Sequence, residues 1–358
     1  MKTPWELLKE SKTKIKTTWR IAFVSALVLG LLIHLPVMLS DIPNHDGLSS
    51  MYFDQNMITS GRWFLTVACG FSSYFTIPWV IGLIGLIWLA LTAAVLTEVL
   101  ELTDPVTITV VSGLLVSFPA LASTFAYVFT MDGYMLALFL AVLAVLFTAK
   151  YPRGYLAGAV CLAFSMGIYQ AYLPFTILLC VYKILLYFME EKGWKEKAKY
   201  VCRYLGMGIA GGVLYYVILQ ILLKLQGKVL DTYQGINSME QMGSGMGILA
   251  TIKEMYVDFL AFTVHGNVLV NNIFSLAACI ILVATVVFLV IRSMIWRKWW
   301  KNPAFFVIMI LLGISMPLLT NVILLISPNL TYHLLMRYQW VLYLILMTAF
   351  ADRYTAEE

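Results

Sequence analysis

Stretches of mostly apolar residues follow one another along almost the whole chain, and turns rich in polar residues separate them. A run of about 20 apolar residues crosses the hydrocarbon core of a bilayer as a helix, and no alternation typical of barrel strands is present. The pattern therefore predicts an all-α polytopic membrane protein with ten transmembrane helices. Eight of them are single runs, and two lie within Gly154–Phe188; the single runs are Ile21–Leu39, Ile77–Leu96, Pro105–Tyr127, Tyr134–Ala149, Tyr204–Leu223, Ile273–Ile291, Pro303–Ile326 and Leu334–Ala351.

The run Gly154–Phe188 is too long for one helix across a core of about 30 Å. Its sequence is interrupted by Tyr169-Gln170-Ala171-Tyr172-Leu173-Pro174. Proline removes a backbone donor and restricts the residue before it, so a helix does not continue easily through this segment. We predict two short helices that meet at a partly buried turn.

The distribution of charge indicates the orientation of the chain. Only 12% of the 358 residues are charged and 61% are hydrophobic, with a formal net charge of +5. Most lysine and arginine residues lie next to hydrophobic runs on alternate sides, which is typical of cytoplasmic loops and anionic lipid contacts. We predict that both termini are cytoplasmic, and no nucleic-acid surface is indicated.

These assignments divide one domain, residues 1–358, into cytoplasmic, membrane and outer parts. Residues 1–20 are basic with interspersed apolar side chains and predict a cytoplasmic segment at the membrane interface. Residues 40–76 form the first outer loop, in which Phe64–Thr76 is expected to lie as a helix on the outer surface. Residues 192–203 form a basic inner loop, and residues 224–271 form a long outer loop.

The sequence has no motif for a metal or a soluble nucleotide cofactor. The five cysteines form no CxxC pair, and the four histidines show no HxxxH or HExxH spacing. Neither GxxxxGK[ST] nor GxGxxG occurs. We expect no cofactor, and the sequence leaves a metal requirement open.

Polar side chains collect at the turns that this topology places outside. Ionisable groups at a membrane boundary lose solvation, so a cluster of them indicates a functional site. The candidate catalytic residues are Asp46, Asp54 and Asp132, and the candidate substrate-binding residues are His45, Arg62, Tyr169, Gln170, His333 and Arg337.

Carboxylates and arginines together suit transfer of a sugar from a lipid phosphate. The planar donor fork of arginine binds phosphate, and a carboxylate accepts the proton of an attacking hydroxyl. We predict that Arg337 holds the carrier phosphate, with Arg62 as the alternative. Simpler roles remain open for several of these residues. Asp132 suits a helix cap, Arg62 a membrane anchor and Arg337 an intramembrane ion pair, while Tyr169 and Gln170 suit the satisfaction of backbone groups at a broken helix.

Several short motifs, in this order, resemble the bacterial type II glucosyl transferases that modify O-antigen. They are the acidic loop after the first span, SGRWF at Ser60–Phe64, MDGY at Met131–Tyr134 and SMGIYQAYLPF at Ser165–Phe175. The resemblance implies a plan similar to GT-C glycosyltransferases, which use polyprenyl-phosphate sugars and an essential acid in the first outer loop. Asp46 matches that position and Asp132 lies at the second outer turn. The family's paired Asp-Asp reads His45-Asp46 here, so either Asp46 or Asp54 is the expected base.

We therefore predict an inverting membrane glycosyltransferase of the bacterial plasma membrane with its active site on the outer face. It would transfer a hexose, with glucose expected, from a polyprenyl phosphate to a cell-envelope glycan. Expected partners are this donor, the glycan acceptor, membrane lipids, an enzyme that makes the donor and a flippase. The alternatives are a glycan polymerase with a lipid-diphosphate donor and a flippase or transporter of lipid-linked sugars, for which broken helices in both halves and midplane polar groups are typical.

Overall fold

The computed structural model describes residues 3, 15–40, 58–69, 77–190, 192–230, 248–296, 298, 303–327 and 331–355. The described residues form helices and turns, and they contain no β-strand. The helices are α1 (Thr17–Leu39), α2 (Leu65–Ala68), α3 (Pro78–Leu100), α4 (Pro105–Ser117), α5 (Pro119–Phe125), α6 (Met131–Lys150), α7 (Gly154–Ile168), α8 (Leu173–Met189), α9 (Trp194–Gln226), α10 (Ile248–Leu260), α11 (Ile273–Trp296), α12 (Pro303–Thr320), α13 (Val322–Ile326) and α14 (Val341–Thr355).

Three short 3₁₀ segments and one π segment lead into or out of these helices. The 3₁₀ segments are Val128–Thr130 before α6, Gln170–Tyr172 before α8 and Leu334–Trp340 before α14. The π segment, Ala261–His265, follows α10.

The helices are long and apolar enough to confirm an all-α membrane protein. Among the described residues, seven helices pass a length and composition test for spanning a bilayer. The bent pair α4–α5 adds an eighth, and α7 and α12 are shorter apolar helices. Each predicted span coincides with one of these elements except Pro303–Ile326, which is interrupted at Asn321 between α12 and α13. The count of ten crossings stays a prediction.

Proline explains where two of the predicted spans depart from a single helix. The prediction of two short helices within Gly154–Phe188 is confirmed, since α7 ends at Ile168 and α8 begins at Leu173. The prediction of one unbroken helix over Pro105–Tyr127 is wrong. The chain bends by 48° between α4 and α5 because Phe118, which precedes Pro119, is extended.

The prediction of a basic inner loop at residues 192–203 is also wrong for most of that segment. From Trp194 the residues are helical and continue without a break into the hydrophobic part of α9, which ends at Gln226. Lysine, glutamate and alanine are strong helix formers, so the helix extends beyond the apolar run that identified the span. The basic side chains therefore lie on the first turns of α9.

The bundle has two layers. In the first layer α4, α1, α3, α6, α7 and α9 lie in a row, each packed on its neighbour. In the second layer α8 packs on α6 and α12, and α14 packs on α4 and α11. Glycines allow these helices to approach closely. Leu86 of α3 occupies the space where a side chain on Gly30 of α1 would extend, and Met131 of α6 occupies the corresponding space at Gly85 of α3. Of the candidate spans, the one that contains α6 is the most enclosed and α11 the least.

Charged pairs mark one end of the bundle, which we call the lysine–glutamate end. Glu98 of α3 accepts hydrogen bonds from Lys16 at 2.7 and 2.8 Å and from Lys150 of α6 at 2.8 Å. Glu101, which follows α3, is paired with Lys183 of α8 at 2.6 Å and Arg353 of α14 at 2.9 Å. These pairs join five segments at the end that the charge pattern predicts to be cytoplasmic.

The opposite end carries the candidate site, and we call it the arginine–tyrosine end. Its defining residues are Arg62, Tyr134, Tyr169 and Arg337. Tyr134 and Tyr169 lie at the start of α6 and the end of α7, away from the lysine–glutamate end. The 3₁₀ segment with Arg337 joins them because Tyr338 packs against Tyr172 at a ring-centroid distance of 6.3 Å.

Candidate functional site

Arg62 lies on a tight turn that requires glycine at the preceding position. Gly61 has a φ of 76°, in the left-handed region that side chains other than glycine rarely adopt. A Cβ atom at this position would also lie 2.7 Å from both Gln170 Nε2 and Tyr215 OH. The SGRW sequence is therefore explained by the backbone conformation that presents Arg62.

Hydrogen bonds from two other helices hold this turn. The Tyr215 hydroxyl, on α9, donates to the Gly61 carbonyl oxygen at 3.0 Å. Gln170 Nε2 donates to the Tyr215 hydroxyl at 3.0 Å and to the Ser60 carbonyl oxygen at 3.4 Å. Gln170, predicted as a substrate-binding residue, therefore contacts the turn that carries Arg62 and not the backbone of the broken helix, and its role in substrate binding stays a prediction.

The residues that follow Arg62 dock into the bundle. Trp63 covers Gly167 of α7, where a Cβ atom would lie 2.6 Å from the indole ring. The Phe64 N–H donates to the Gly167 carbonyl oxygen at 2.7 Å. In α2, Leu65 is buried, and so is Cys69 directly after it. Cys69 Sγ fills the space beside Gly133, so one face of α2 packs into the bundle, while Val67 on the other face is 69% exposed. The position of this segment on the outer surface stays a prediction.

The guanidinium of Arg62 is half-buried and binds hydroxyl groups. Nε donates to Ser60 Oγ at 2.9 Å, and one terminal nitrogen donates to the Tyr134 hydroxyl at 3.2 Å. Among the described residues no carboxylate pairs with Arg62. Neutral oxygens therefore orient the guanidinium, and its remaining terminal N–H groups can donate hydrogen bonds to an anion.

Tyrosine rings connect Arg62 to the rest of the site. Tyr134 stacks on Tyr169 at 4.2 Å, and Tyr169 meets Tyr172 edge to face at 5.4 Å. Tyr169 is buried, and Tyr172 in turn packs against Tyr338, the neighbour of Arg337, at 6.3 Å. Tyr169 therefore lies between the turn that carries Arg62 and the segment that carries Arg337.

Asp132 lies in the first turn of α6, two residues before Tyr134. The residue is 5% exposed, and Oδ1 accepts a hydrogen bond from the Gly133 N–H at 2.9 Å. A carboxylate in this place is stabilised by the helix dipole. The residue was predicted to lie in a turn between helices, and the structure instead makes it part of α6.

Arg337, the predicted ligand of the carrier phosphate, has a different environment from Arg62. It lies in the 3₁₀ segment at a kink, with φ −102° and ψ 24°, and precedes the regular turns of α14. Its two terminal nitrogens each donate to one carboxylate oxygen of Asp258 at 2.7 Å. Tyr332 covers the guanidinium at 3.9 Å and Phe262 approaches it at 4.6 Å.

Asp258 was not a candidate from the sequence. It lies on α10, and its carboxylate also accepts a hydrogen bond from Asn321 Nδ2 at 3.0 Å. A signal was present, because an arginine at the start of a hydrophobic span requires a counter-charge. Only the fold shows that the partner comes from 79 residues away, in the long segment between α9 and α11.

The remaining predicted site residues are peripheral or outside the described residues. His333 has an exposed side chain, and its carbonyl oxygen accepts from the Met336 N–H at 3.0 Å at the start of the 3₁₀ segment. His45, Asp46 and Asp54 lie outside the described residues. The described part of the chain contains no group of three or more His, Cys, Asp and Glu side chains that could hold a metal ion.

Comparison with known families identifies the chain. A model of the glucosyl transferase GtrII family matches residues 35–350, nearly the whole length. The chain belongs to this family. Comparisons with curated proteins and with solved structures gave no match. Membership confirms the resemblance read from SGRWF and SMGIYQAYLPF, and with the apolar helices it makes the protein a membrane glucosyltransferase.

Proposed function

We propose that this GtrII family member transfers glucose from a polyprenyl phosphate to a cell-envelope glycan at the arginine–tyrosine end. The observation that supports this most is the half-buried Arg62 guanidinium, oriented by Ser60 and Tyr134 and without a carboxylate partner among the described residues. A buried or half-buried arginine is stabilised when an anion completes its hydrogen bonds. The carrier phosphate of a lipid-linked sugar supplies that anion at the depth of the membrane surface.

We place this end on the outer face of the bacterial plasma membrane, with both termini cytoplasmic. The support is the charge pattern, since the lysine-rich segments adjoin the opposite end of the helices. In this orientation, the acceptor glycan reaches the site from outside the cell.

The reaction would be a direct displacement. The acceptor hydroxyl oxygen forms a bond to the anomeric carbon, the bond from that carbon to the phosphate oxygen breaks, and its electron pair leaves with the phosphate. A carboxylate takes the hydroxyl proton. One base suffices because the phosphate leaves without a proton, and one displacement inverts the anomeric configuration.

Asp46 is the proposed base, with Asp54 and Asp132 as the alternatives. Of these, the structure describes Asp132, which shares the first turn of α6 with the Arg62 partner Tyr134. Asp46→Asn is expected to lower kcat by about 10²–10⁴, the usual contribution of a general base, with little change in donor binding. Turnover of all three Asp→Asn variants, measured in parallel, assigns the base, and normal turnover of Asp46→Asn would exclude Asp46.

The arrangement of charge favours an enzyme over a transporter. In the described part of the chain, no charged side chain lies at the middle of a candidate span. Transporters of known plan bind their substrates near that level. A glycan polymerase with a lipid-diphosphate donor is the alternative among enzymes. The two functions differ in the donor that the protein accepts.

The decisive experiment is a donor panel with purified protein in detergent. Polyprenyl-phosphate glucose, other polyprenyl-phosphate hexoses and lipid-diphosphate sugars are each incubated with the protein, and release or transfer of the sugar is followed. We expect activity with polyprenyl-phosphate glucose. Activity with lipid-diphosphate donors alone would contradict the proposal.

A further inference from the structure

The two described arginines at the arginine–tyrosine end differ in the charge of their hydrogen-bond partners. Arg62 donates to the hydroxyls of Ser60 and Tyr134. Arg337 is paired in the bidentate manner with Asp258. The tyrosine cluster links both guanidinium groups, because Arg62 donates to Tyr134, Tyr134 stacks on Tyr169, and Tyr172 connects Tyr169 to Tyr338, the neighbour of Arg337. A phosphate that enters this end therefore meets two arginines, of which one is already neutralised.

Three of the five N–H donors of Arg337 are already used by other groups of the protein. Its terminal nitrogens bind Asp258, and its Nε donates to the Tyr332 carbonyl oxygen at 3.2 Å. Tyr332 and Phe262 lie over its faces. Bidentate binding of a carboxylate uses the same donor fork as bidentate binding of a phosphate, so the two compete.

The carboxylate is held independently of Arg337. Asn321, which is fully buried, donates from Nδ2 to Asp258 at 3.0 Å and to the Met255 carbonyl oxygen at 2.8 Å. Thus α10, the Asn321 break between α12 and α13, and the 3₁₀ segment meet at one carboxylate. Removal of Arg337 alone would leave a negative charge fixed in this position.

We propose that Asp258 is a specificity-determining residue that neutralises Arg337 and thereby directs the donor phosphate to Arg62. The inference rests on the proposed function, because it assumes a phosphate-bearing lipid donor. Without the Asp258 charge, Arg337 becomes a second anion site, away from the productive position. Without Arg337, the Asp258 carboxylate repels the phosphate.

The test uses steady-state kinetics with polyprenyl-phosphate glucose and equilibrium binding of sugar-free undecaprenyl phosphate. The variants are Asp258→Asn, Arg337→Gln and the double variant. Glu254→Gln is the matched control, because Glu254 lies one turn earlier on α10 and is exposed. We expect the control to behave as wild type.

For Asp258→Asn, binding at Arg337 is non-productive and excludes productive binding. We therefore expect kcat and KM to fall together by about tenfold, the effect of one charge-assisted hydrogen bond, with kcat/KM near the wild-type value. Undecaprenyl phosphate should bind more tightly. For Arg337→Gln we expect KM to rise and undecaprenyl phosphate to bind more weakly, with little change in kcat.

The double variant carries neither charge and is expected to restore both constants to near the wild-type values. Because the double variant leaves no unpaired buried charge, it also tests the role of Asp258 in the case that a single variant fails to fold. A KM in the double variant as high as that of Arg337→Gln would show that Arg337 itself binds phosphate, and would overturn the inference. The inference would also be overturned if both single variants lowered kcat/KM and their affinities for undecaprenyl phosphate did not shift in opposite directions.

Failure of the proposed function is distinguishable from failure of this inference. Wild-type protein that neither transfers glucose from the polyprenyl phosphate nor binds undecaprenyl phosphate contradicts the proposed donor. Wild-type protein that does both, with variants that lack the opposite shifts, contradicts only the role of Asp258.

Discussion

Single residues determine how Arg62 is presented, and Tyr215 is the clearest of them. Its hydroxyl donates to the Gly61 carbonyl oxygen and accepts from Gln170, so it joins α9 and the Gln170 segment to the turn. Arg62 follows that carbonyl directly in the chain. The position of the guanidinium therefore depends on a hydroxyl from a helix that otherwise lies at the edge of the first layer.

Tyr215→Phe removes this hydroxyl and keeps the ring that packs near Trp63. We expect KM for the donor to rise by about 2–10-fold, the usual effect of losing one hydrogen bond, with a smaller change in kcat. Tyr216→Phe is the control, since Tyr216 is 51% exposed. Equal kinetic constants for the two variants would show that the hydroxyl does not position Arg62.

The sequence identified residues whose chemistry is unusual in a membrane and missed residues whose role depends on distant contacts. Arg62, Asp132, Tyr169 and Arg337 were found because polar groups beside a bilayer are costly. Tyr215 was missed because it lies in the middle of an apolar run, where the sequence does not show which distant backbone group its hydroxyl contacts. Asp258 was missed because its significance comes from a partner distant in the sequence.

At the scale of elements, the contact between α7 and the turn after Arg62 depends on Gly167. Trp63 covers this glycine, and a Cβ atom there would lie 2.6 Å from the indole ring. Since the ring is also held by Phe164 at 5.3 Å, it has little room to move away. The turn would have to leave its position to admit a larger residue.

We expect Gly167→Ala to lower the thermal stability of the protein in detergent and to reduce glucose transfer. Gly208→Ala is the matched control, because Gly208 is on α9 with no atom within 4 Å of its ideal Cβ. Alanine improves helix propensity by up to about 1 kcal/mol, so the control should be neutral or more stable. Melting curves and transfer rates that match between the two variants would contradict the proposed contact.

A proline near a polar interruption did not always reveal an element boundary, since the break at Asn321, four residues after Pro317, was missed. The segment Tyr169–Pro174 combined both signals, and its break was found. Pro119 lies inside an apolar run without such a polar signal, so the bend between α4 and α5 was missed. The continuous α9 was missed because a hydrophobicity pattern locates the membrane-spanning part of a helix and not its ends.

At the scale of the whole molecule, charged pairs at one end close the bundle while the opposite end holds the candidate site. Burial raises the pKa of Glu101, but the hydrogen bond and charge of Lys183 and the charge of Arg353 lower it more. Its pKa in the folded protein therefore lies below the ordinary value of 4.5. Glu101 contributes stability above the ordinary pKa, and this contribution is lost as the pH falls through the folded-state value.

We expect Glu101→Gln to lower the melting temperature at pH 7 and to weaken the loss of stability on acidification below pH 4.5. Lys183 is only 8% exposed at its side chain and would lose its carboxylate partner. Glu196→Gln is the control, since Glu196 is exposed at the first turn of α9. The measurement is the melting temperature of each variant in detergent from pH 7 to about pH 3. Identical curves for the two variants would exclude this role of Glu101.

The overall plan was accessible from the sequence because a bilayer allows few solutions to backbone hydrogen bonding. Hydrophobic runs identified the helices, and the order of short motifs indicated the family that the comparison then showed. The pairing of α10 with the 3₁₀ segment was not accessible, since α11, α12 and α13 lie between them in the sequence. Such long-range pairs require the fold itself.

The most direct test of phosphate binding by Arg62 is the KM for polyprenyl-phosphate glucose in Arg62→Gln and Arg62→Lys. Arg153→Gln, an exposed arginine at the lysine–glutamate end, serves as the control. Loss of a charge-assisted hydrogen bond corresponds to a change of about tenfold or more, so Arg62→Gln should raise KM by at least that factor, with Arg62→Lys intermediate. An unchanged KM in Arg62→Gln, with the control also unchanged, would contradict the assignment of Arg62 as the phosphate-binding residue.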